Sequence, residues 1–203
     1  SDLDARGHDR AVAGARWGLV PHWAKDEALG NRLFNARAET VERLPSFRDA
    51  FKTGRVVVPI DAFYEWENPE YLAEIGRPVP AKGPRQPWAY LPASGGRFAL
   101  AGLASVRTGA DGRPLRTFTL ITTVANDVVG AIHDRMPAML NDAGEVAAWL
   151  DRATPLPIVR ELLGPAPNER IATRRVSRDV SRARNEGPHL LDEIADGPIG
   201  LGL

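Results

Sequence analysis

The sequence predicts an α+β protein in which a mainly antiparallel sheet or open β-barrel carries a few peripheral helices. Two patterns lead there. Short runs of β-branched and aromatic residues bounded by Gly, Pro or Asp recur along the chain, and helical periodicity is confined to a few short segments. With no internal repeat, heptad pattern or long linker, residues 1–203 read as a single domain. A chain of 203 residues, 43% hydrophobic and 26% charged, can bury a sizeable core, which excludes disorder and fibrous repeats.

The strands expected are Arg55–Ile60, Phe63–Trp66, Trp88–Leu91, Phe98–Leu103 and Thr117–Val124. A helix over Pro45–Lys52 would place Phe47, Ala50 and Phe51 on one face and stop at Gly54 in a left-handed conformation. Asp142 and Glu145 form a capping box opening a helix whose Val146, Trp149 and Leu150 share a face. Thr154-Pro155 opens another, with Ile158, Leu162 and Leu163 as its apolar side and Gly164 as its end. Asn126 caps a short turn through Val128, Val129 and Ile132 that delivers His133. Between Asn68 and Pro87, Pro69, Gly76, Pro78, Pro80, Gly83 and Pro84 break helix and strand, so 68–87 is expected to be a flexible insertion. The tail Gly197–Leu203 is a second loose end.

Several function classes drop out. No apolar run of eighteen residues exists and Ser1-Asp2-Leu3-Asp4 is acidic where an export signal is basic, so no membrane association and a cytoplasmic location are expected. Cysteine is absent, which leaves no disulfide, thiolate metal site or cysteine nucleophile within these residues. The four histidines lack metal-ligand spacing, and there is no P-loop, G-x-G-x-x-G, G-x-S-x-G or H-E-x-x-H, so neither metal nor cofactor is expected. With 26 basic and 26 acidic residues the net charge is zero, and a polyanion partner would need a local basic patch.

Five segments carry more chemistry than a scaffold needs. Asn35-Ala36-Arg37-Ala38-Glu39-Thr40 gathers an amide, a guanidinium and a carboxylate, and equally suits a loop with a surface ion pair. Phe63-Tyr64-Glu65-Trp66 sets a carboxylate in an aromatic strand, where desolvation would raise its pKa toward acid–base use; the alternative is an edge strand with Glu65 in water. Ile132-His133-Asp134-Arg135-Met136-Pro137 places an imidazole between charged and apolar neighbours, either as a catalyst or as a hydrogen-bonded core residue. Arg16 to Trp23 offers Trp17 and Trp23 as stacking surfaces or as buried tryptophans. Arg170–Arg184 holds six arginines against one acid, a phosphate-binding patch or a solvated charged face.

Taken in order, Trp17-Gly18-Leu19-Val20-Pro21-His22-Trp23, Asn35–Thr40, Asp61–Trp66, Ile132–Pro137 and Val176-Ser177-Arg178 resemble the SOS-response-associated peptidase (SRAP) family, whose members sense abasic sites in single-stranded DNA. The resemblance implies a covalent link to the ring-opened aldehyde of an abasic site. Its nucleophile would be a cysteine exposed as the first residue by self-processing. An α-amine with a pKa of about 7.7 to 8.0 forms an imine with the aldehyde, and the thiol closes a thiazolidine. Carried over by motif, Glu65 would be the general acid/base, His133 would assist opening of the deoxyribose ring and hold the adjoining phosphate, and Asn35 would orient the adduct. Arg37 and Arg135 would bind flanking phosphates, Trp23 and Trp66 would buttress or stack on bases, and Arg178 would touch the backbone.

The family begins Met-Cys-Gly-Arg-Phe, which Ser1–Asp4 does not resemble, so a segment of about forty residues bearing the cysteine is expected ahead of this chain. The full protein would then be an autopeptidase with crosslinking and abasic-site lyase-like activity. It would act as a monomer on single-stranded DNA containing abasic sites, associated with the nucleoid if bacterial. The competing reading is a noncovalent single-stranded DNA-binding module of the same fold. General peptidase activity on other proteins has no nucleophile, metal set or carboxylate dyad to support it. Asn35, Glu65 and His133 are expected to converge in one polar cleft, with the chain's start beside it.

Overall fold

The computed structural model describes residues 2–3, 9–79 and 84–194. In chain order it contains β1 (Asp2–Leu3), β2 (Asp9–Arg10), β3 (Arg16–Trp17), β4 (Asn35–Arg37), α1 (Arg48–Thr53), β5 (Arg55–Ile60), β6 (Phe63–Trp66) and α2 (Pro69–Glu74). There follow β7 (Pro87–Pro92), β8 (Phe98–Thr108), β9 (Pro114–Val124), α3 (Asp127–Gly130), β10 (Arg135–Pro137), α4 (Ala143–Leu150), α5 (Leu156–Glu161) and β11 (Ile171–Arg175). The class is α+β as expected, with short helices and open sheets of two, six and three strands; none closes into a barrel among the described residues.

Two compact units form, each from three stretches of chain: Ser1–Pro59, Ala99–Val124 and Pro137–Ala166 in the first, and Ile60–Phe98, Ala125–Met136 and Pro167–Leu203 in the second. In the first unit the long strands β8 and β9 run antiparallel from Gly102↔Leu120 to Thr108↔Pro114. Toward the other end of the pair the chain around Ala138 is inserted, with Ala138 N–H donating to Ile121 and Ala101 N–H donating to Ala138, at 2.8 and 2.9 Å. On the other edge of β9, β3 and β4 pair in parallel, an exception to the antiparallel expectation. Such short parallel partners leave no signature in a sequence, because direction is set by the connecting loops.

The core of this unit collects Phe47, Phe51, Leu103, Ile121, Trp149 and Val159, with Phe51 edge-on to Trp149 at 6.2 Å between centroids. At the hand-over from α1 to β5 the buried Arg55 guanidinium caps two helix ends. It donates to Phe51 (3.0 Å) and Lys52 (3.3 Å) carbonyls of α1 and to Trp149 (2.6 Å) and Asp151 (2.7 Å) at the end of α4. Terminal carbonyls otherwise orphaned are thereby satisfied by a cation placed where the helix dipoles are negative.

Local expectations needed four corrections. Gly54 has φ −120°, so it is not a left-handed terminator; it is required because a Cβ there would lie 2.4 Å from the Ala104 carbonyl oxygen. Asp142 caps the Glu145 amide at 2.8 Å, but Glu145 returns to the Asn141 amide at 2.6 Å, one residue earlier than a capping box. In α5 Ile158 is 44% exposed, and Val159 and Leu163 form the buried side. Within 68–87, where prolines were expected to break helices, α2 forms because Pro69 sits at its first turn and the Asn68 side chain accepts from Glu70 and Tyr71 amides. The tail Gly197–Leu203 lies outside the described residues.

The second unit is built on the antiparallel sheet β11-β7-β6. The buried Gln86 side chain closes one end by donating to the Val176 carbonyl at 2.9 Å. Asn126 caps α3 through the Val129 amide at 3.0 Å, as the sequence predicts.

Gly54→Ala is expected to destabilise the protein by about 1–3 kcal/mol, because the methyl group meets backbone that cannot rotate away. Urea denaturation would show this as a lowered midpoint with an unchanged m-value.

Candidate functional site

The second unit holds the carboxylate–imidazole pair. On β6 the strand period places Phe63 and Glu65 on one face. The ladder sets Phe63 against Tyr90 and Glu65 against Trp88, so these four side chains share that face. Phe63 stacks on Tyr90 with centroids 4.9 Å apart and planes 13° from parallel, and Phe98 lies 6.0 Å from Phe63. Trp88 Nε1 donates to Glu67 Oε1 at 3.2 Å. Glu65 therefore stands beside an aromatic stack with its side chain only 26% exposed.

His133 arrives by a different route. Its backbone N–H donates to the Val129 carbonyl at 3.0 Å, continuing the turn that Asn126 caps. Two side chains anchor that turn: Tyr71 donates to Gly130 at 2.8 Å and Arg77 to Ala131 at 3.1 Å. The imidazole Nδ1 accepts the Arg135 amide at 3.0 Å, which leaves the proton of the neutral ring on Nε2. Nε2 is the atom facing Glu65, 3.9 Å from Oε2. Asp134 Oδ1 lies 3.2 Å from Nδ1; with that nitrogen already accepting, Asp134 contributes charge to the neutral ring and not a hydrogen bond.

Burial raises the Glu65 pKa above the ordinary glutamate value, the charge of His133 draws it back, and Asp134 pushes it up. A carboxyl whose pKa is raised by burial, set beside an imidazole, is suited to general acid–base work. The carboxylate and the imidazole whose roles the resemblance implies thus face one another, 3.9 Å apart.

The remaining candidates are divided between the two units. Trp66 is half-buried with Nε1 donating to Ser181 Oγ at 3.0 Å, and Arg135 is also half-buried in the second unit. Arg178 is exposed in a 3-10 turn, Arg178–Ser181. Within the basic run, Arg182 is engaged by Asp179 at 3.1 Å and Arg174 by the Leu191 carbonyl at 3.5 Å. Asn35, Arg37 and Trp23 belong to the first unit. Asn35 and Arg37 are exposed on β4 to either side of the buried Ala36, in place of the loop that was the alternative for this segment.

Trp17 and Trp23 are 56% and 49% exposed, so they are not buried tryptophans. Trp23 lines a first-unit cleft of about 410 Å³ together with Pro21, Pro45, Asp49, Val106 and Arg152. Among the described residues no group of three or more His, Cys, Asp or Glu could hold a metal ion. No helix of the described residues is long and apolar enough to cross a membrane. Tyr90 went unnoticed in the sequence. Alternation in Trp88-Ala89-Tyr90 puts both rings on one face, but only the register reveals that this is the face of Glu65.

An open α+β scaffold carrying a glutamate on a small antiparallel sheet, apposed to a histidine on a capped turn, defines the class. Residues 3–183 match the model of the SOS response associated peptidase (SRAP) family, and the chain belongs to that family. It is 36% identical to the abasic site processing protein YoqW of Bacillus subtilis (strain 168) over 92% of this chain and 78% of that one. It is 32% identical to the abasic site processing protein HMCES of Gallus gallus over 98% of this chain and 61% of that one. The fold is similar to a crystal structure from Bacteroides thetaiotaomicron, with TM-score 0.77 and 24% identity, covering 88% of this chain and 75% of that one. A protein from Bordetella bronchiseptica matches with TM-score 0.65 and 27% identity, covering 81% and 77% of the two chains.

Because its carboxyl is harder to ionise when folded, Glu65 binds protons more tightly in the native than in the unfolded chain. Stability is therefore expected to fall as pH rises from the ordinary glutamate range through the raised native value, and to level off above it. Glu65→Gln should flatten that decline in urea unfolding measured across the pH range.

Proposed function

We propose that this chain is the DNA-binding and proton-transfer body of an abasic-site sensor that links itself covalently to the lesion in single-stranded DNA. The observation that carries the reading is the half-buried Glu65 carboxylate 3.9 Å from His133 Nε2, in a chain of the SRAP family whose relatives are named abasic site processing proteins.

The nucleophile this reading requires is a cysteine, which the 203 residues do not contain. Self-processing exposes it as the first residue. Its neutral α-amine adds to the aldehyde carbon of the ring-opened sugar to give a carbinolamine. Glu65, in its acid form, protonates the departing hydroxyl, which leaves as water, and the carboxylate so formed takes the nitrogen proton to leave the neutral imine. The thiol sulfur then adds to the imine carbon while its proton passes to the nitrogen, closing the thiazolidine ring. His133, with its proton on Nε2, assists opening of the deoxyribose ring and holds the neighbouring phosphate.

Asn35 orients the adduct through its amide, Arg37 and Arg135 neutralise flanking phosphates, and Trp23 and Trp66 stack on or buttress adjacent bases. Arg178 contributes a contact to the DNA backbone. The protein works as a monomer, with lyase-like turnover at the abasic site available to the same proton carriers, and associates with the nucleoid in a bacterial cell.

In the protein carrying the upstream cysteine, Glu65→Gln is expected to slow crosslinking to abasic single-stranded DNA by about a hundredfold to ten-thousandfold while leaving affinity for intact DNA unchanged. A timed gel assay reads the first and fluorescence anisotropy the second. Parental crosslinking across pH 5 to 9 would overturn the role of Glu65. Efficient binding with no crosslink by the parent would favour the noncovalent module.

Arg37→Ala is expected to weaken binding of abasic and intact strands alike, and to lower the slope of log affinity against log salt by about one. Anisotropy titrations at several salt concentrations measure both quantities.

A further inference from the structure

Two polar groups on the shared face of β6 and β7 lack a hydrogen bond. The Tyr90 side chain is fully buried, and no group among the described residues pairs with its hydroxyl. The Glu65 carboxylate is approached by His133 to 3.9 Å, too far for a direct hydrogen bond.

The ladder makes these two groups neighbours. Tyr90 stands opposite Phe63, and Glu65 is two residues further along the same strand face. Tyr90 is thus the diagonal partner of Glu65, about 7–8 Å away between backbones, a spacing that aromatic and long side chains bridge. The Phe63 ring stacks on the Tyr90 ring. Phenylalanine would fill the same space without burying an unpaired hydroxyl, so the Tyr90 oxygen carries a desolvation cost.

We propose that Tyr90 is a positioning residue for Glu65, its hydroxyl donating a hydrogen bond to the ionised carboxylate when that carboxylate turns away from His133. Glu65 then has two stations, one facing His133 and one held by Tyr90, and the hydroxyl donor of the second favours the ionised form. The phenol stays protonated in both, since burial and the charge of Glu65 each push its own ionisation upward. It serves as a donor and takes no part in proton transfer. Its value for the chemistry rests on Glu65 being the proton carrier proposed above, whereas the hydrogen bond itself does not.

The sign of the effect follows from the groups around the pair. Burial and Asp134 raise the Glu65 midpoint, and His133 lowers it. Tyr90 also feels Glu67 and Arg77. A donor to the ionised form lowers the midpoint, so removing the hydroxyl raises it.

The test is a carboxyl ¹³C NMR titration of this 203-residue chain without DNA, with the Glu65 resonance identified by its loss in Glu65→Gln. Tyr90→Phe is expected to raise the Glu65 midpoint by about half a pH unit or more, roughly a threefold gain in proton affinity, with a urea midpoint no lower than the parent. Phe63→Leu loosens the stack but keeps the hydroxyl, and should lower stability while leaving the titration in place. A Glu65 midpoint unchanged or lowered in Tyr90→Phe overturns the proposal. So does an equal shift in Phe63→Leu, which would assign the effect to packing. A shift in Tyr90→Phe that the pH profile of crosslinking does not follow supports the hydrogen bond and counts against the role proposed for Glu65.

Discussion

Every amide and carbonyl of an eleven-residue strand needs a partner, and in the first unit that demand, made by β9, organises what surrounds it. One edge is served by β8 and, where those two part, by the chain around Ala138. The other is served by β3 and β4 in tandem. The pairing of Asn35 with Leu120 and Arg37 with Thr122 follows, and Ala36 turns into the core while its two neighbours turn to solvent. An amide and a guanidinium from a motif with no regular pattern are thereby held on a paired strand, a more exact support than a loop.

The second unit meets a different constraint. Its three-stranded sheet must bury aromatic rings and still present a carboxylate. Phe63, Tyr90 and Phe98 form a low-dielectric wall, and Glu65 stands beside it with its ionisation displaced upward. Such displacement is unfavourable for stability when the group is charged and favours proton transfer, a combination typical of functional sites. His133 does not depend on the sheet at all. A capped turn, anchored by Tyr71 and Arg77, supplies it ready oriented, and the Arg135 amide decides which ring nitrogen carries the proton.

Charge counting alone misjudges this protein in both directions. The neutral total conceals six arginines between Arg170 and Arg184, yet Arg182 and Arg174 are engaged by Asp179 and the Leu191 carbonyl. Arg55, outside that run, is buried and serves backbone carbonyls of two helix ends. A guanidinium's surroundings, and not its place in a basic stretch, decide whether it is available to a phosphate.

What the sequence determined by itself was local. Apolar runs between turn formers located β5 to β9 to within a few residues at most ends, although β8 runs five residues beyond its expected limit. Asn126 and Asp142 marked helix starts because a cap is a contact between near neighbours in the chain. The motifs around Asn35, Glu65 and His133 were legible as residue types in a familiar order. Tertiary structure alone decided what depends on distant partners. The parallel attachment of β3 and β4, the insertion at Ala138 and the contact that excludes a side chain at Gly54 all involve residues tens of positions away. The same holds for the face Tyr90 shares with Glu65, since alternation assigns two sides to a strand but only the register of its partner says which side chains meet there.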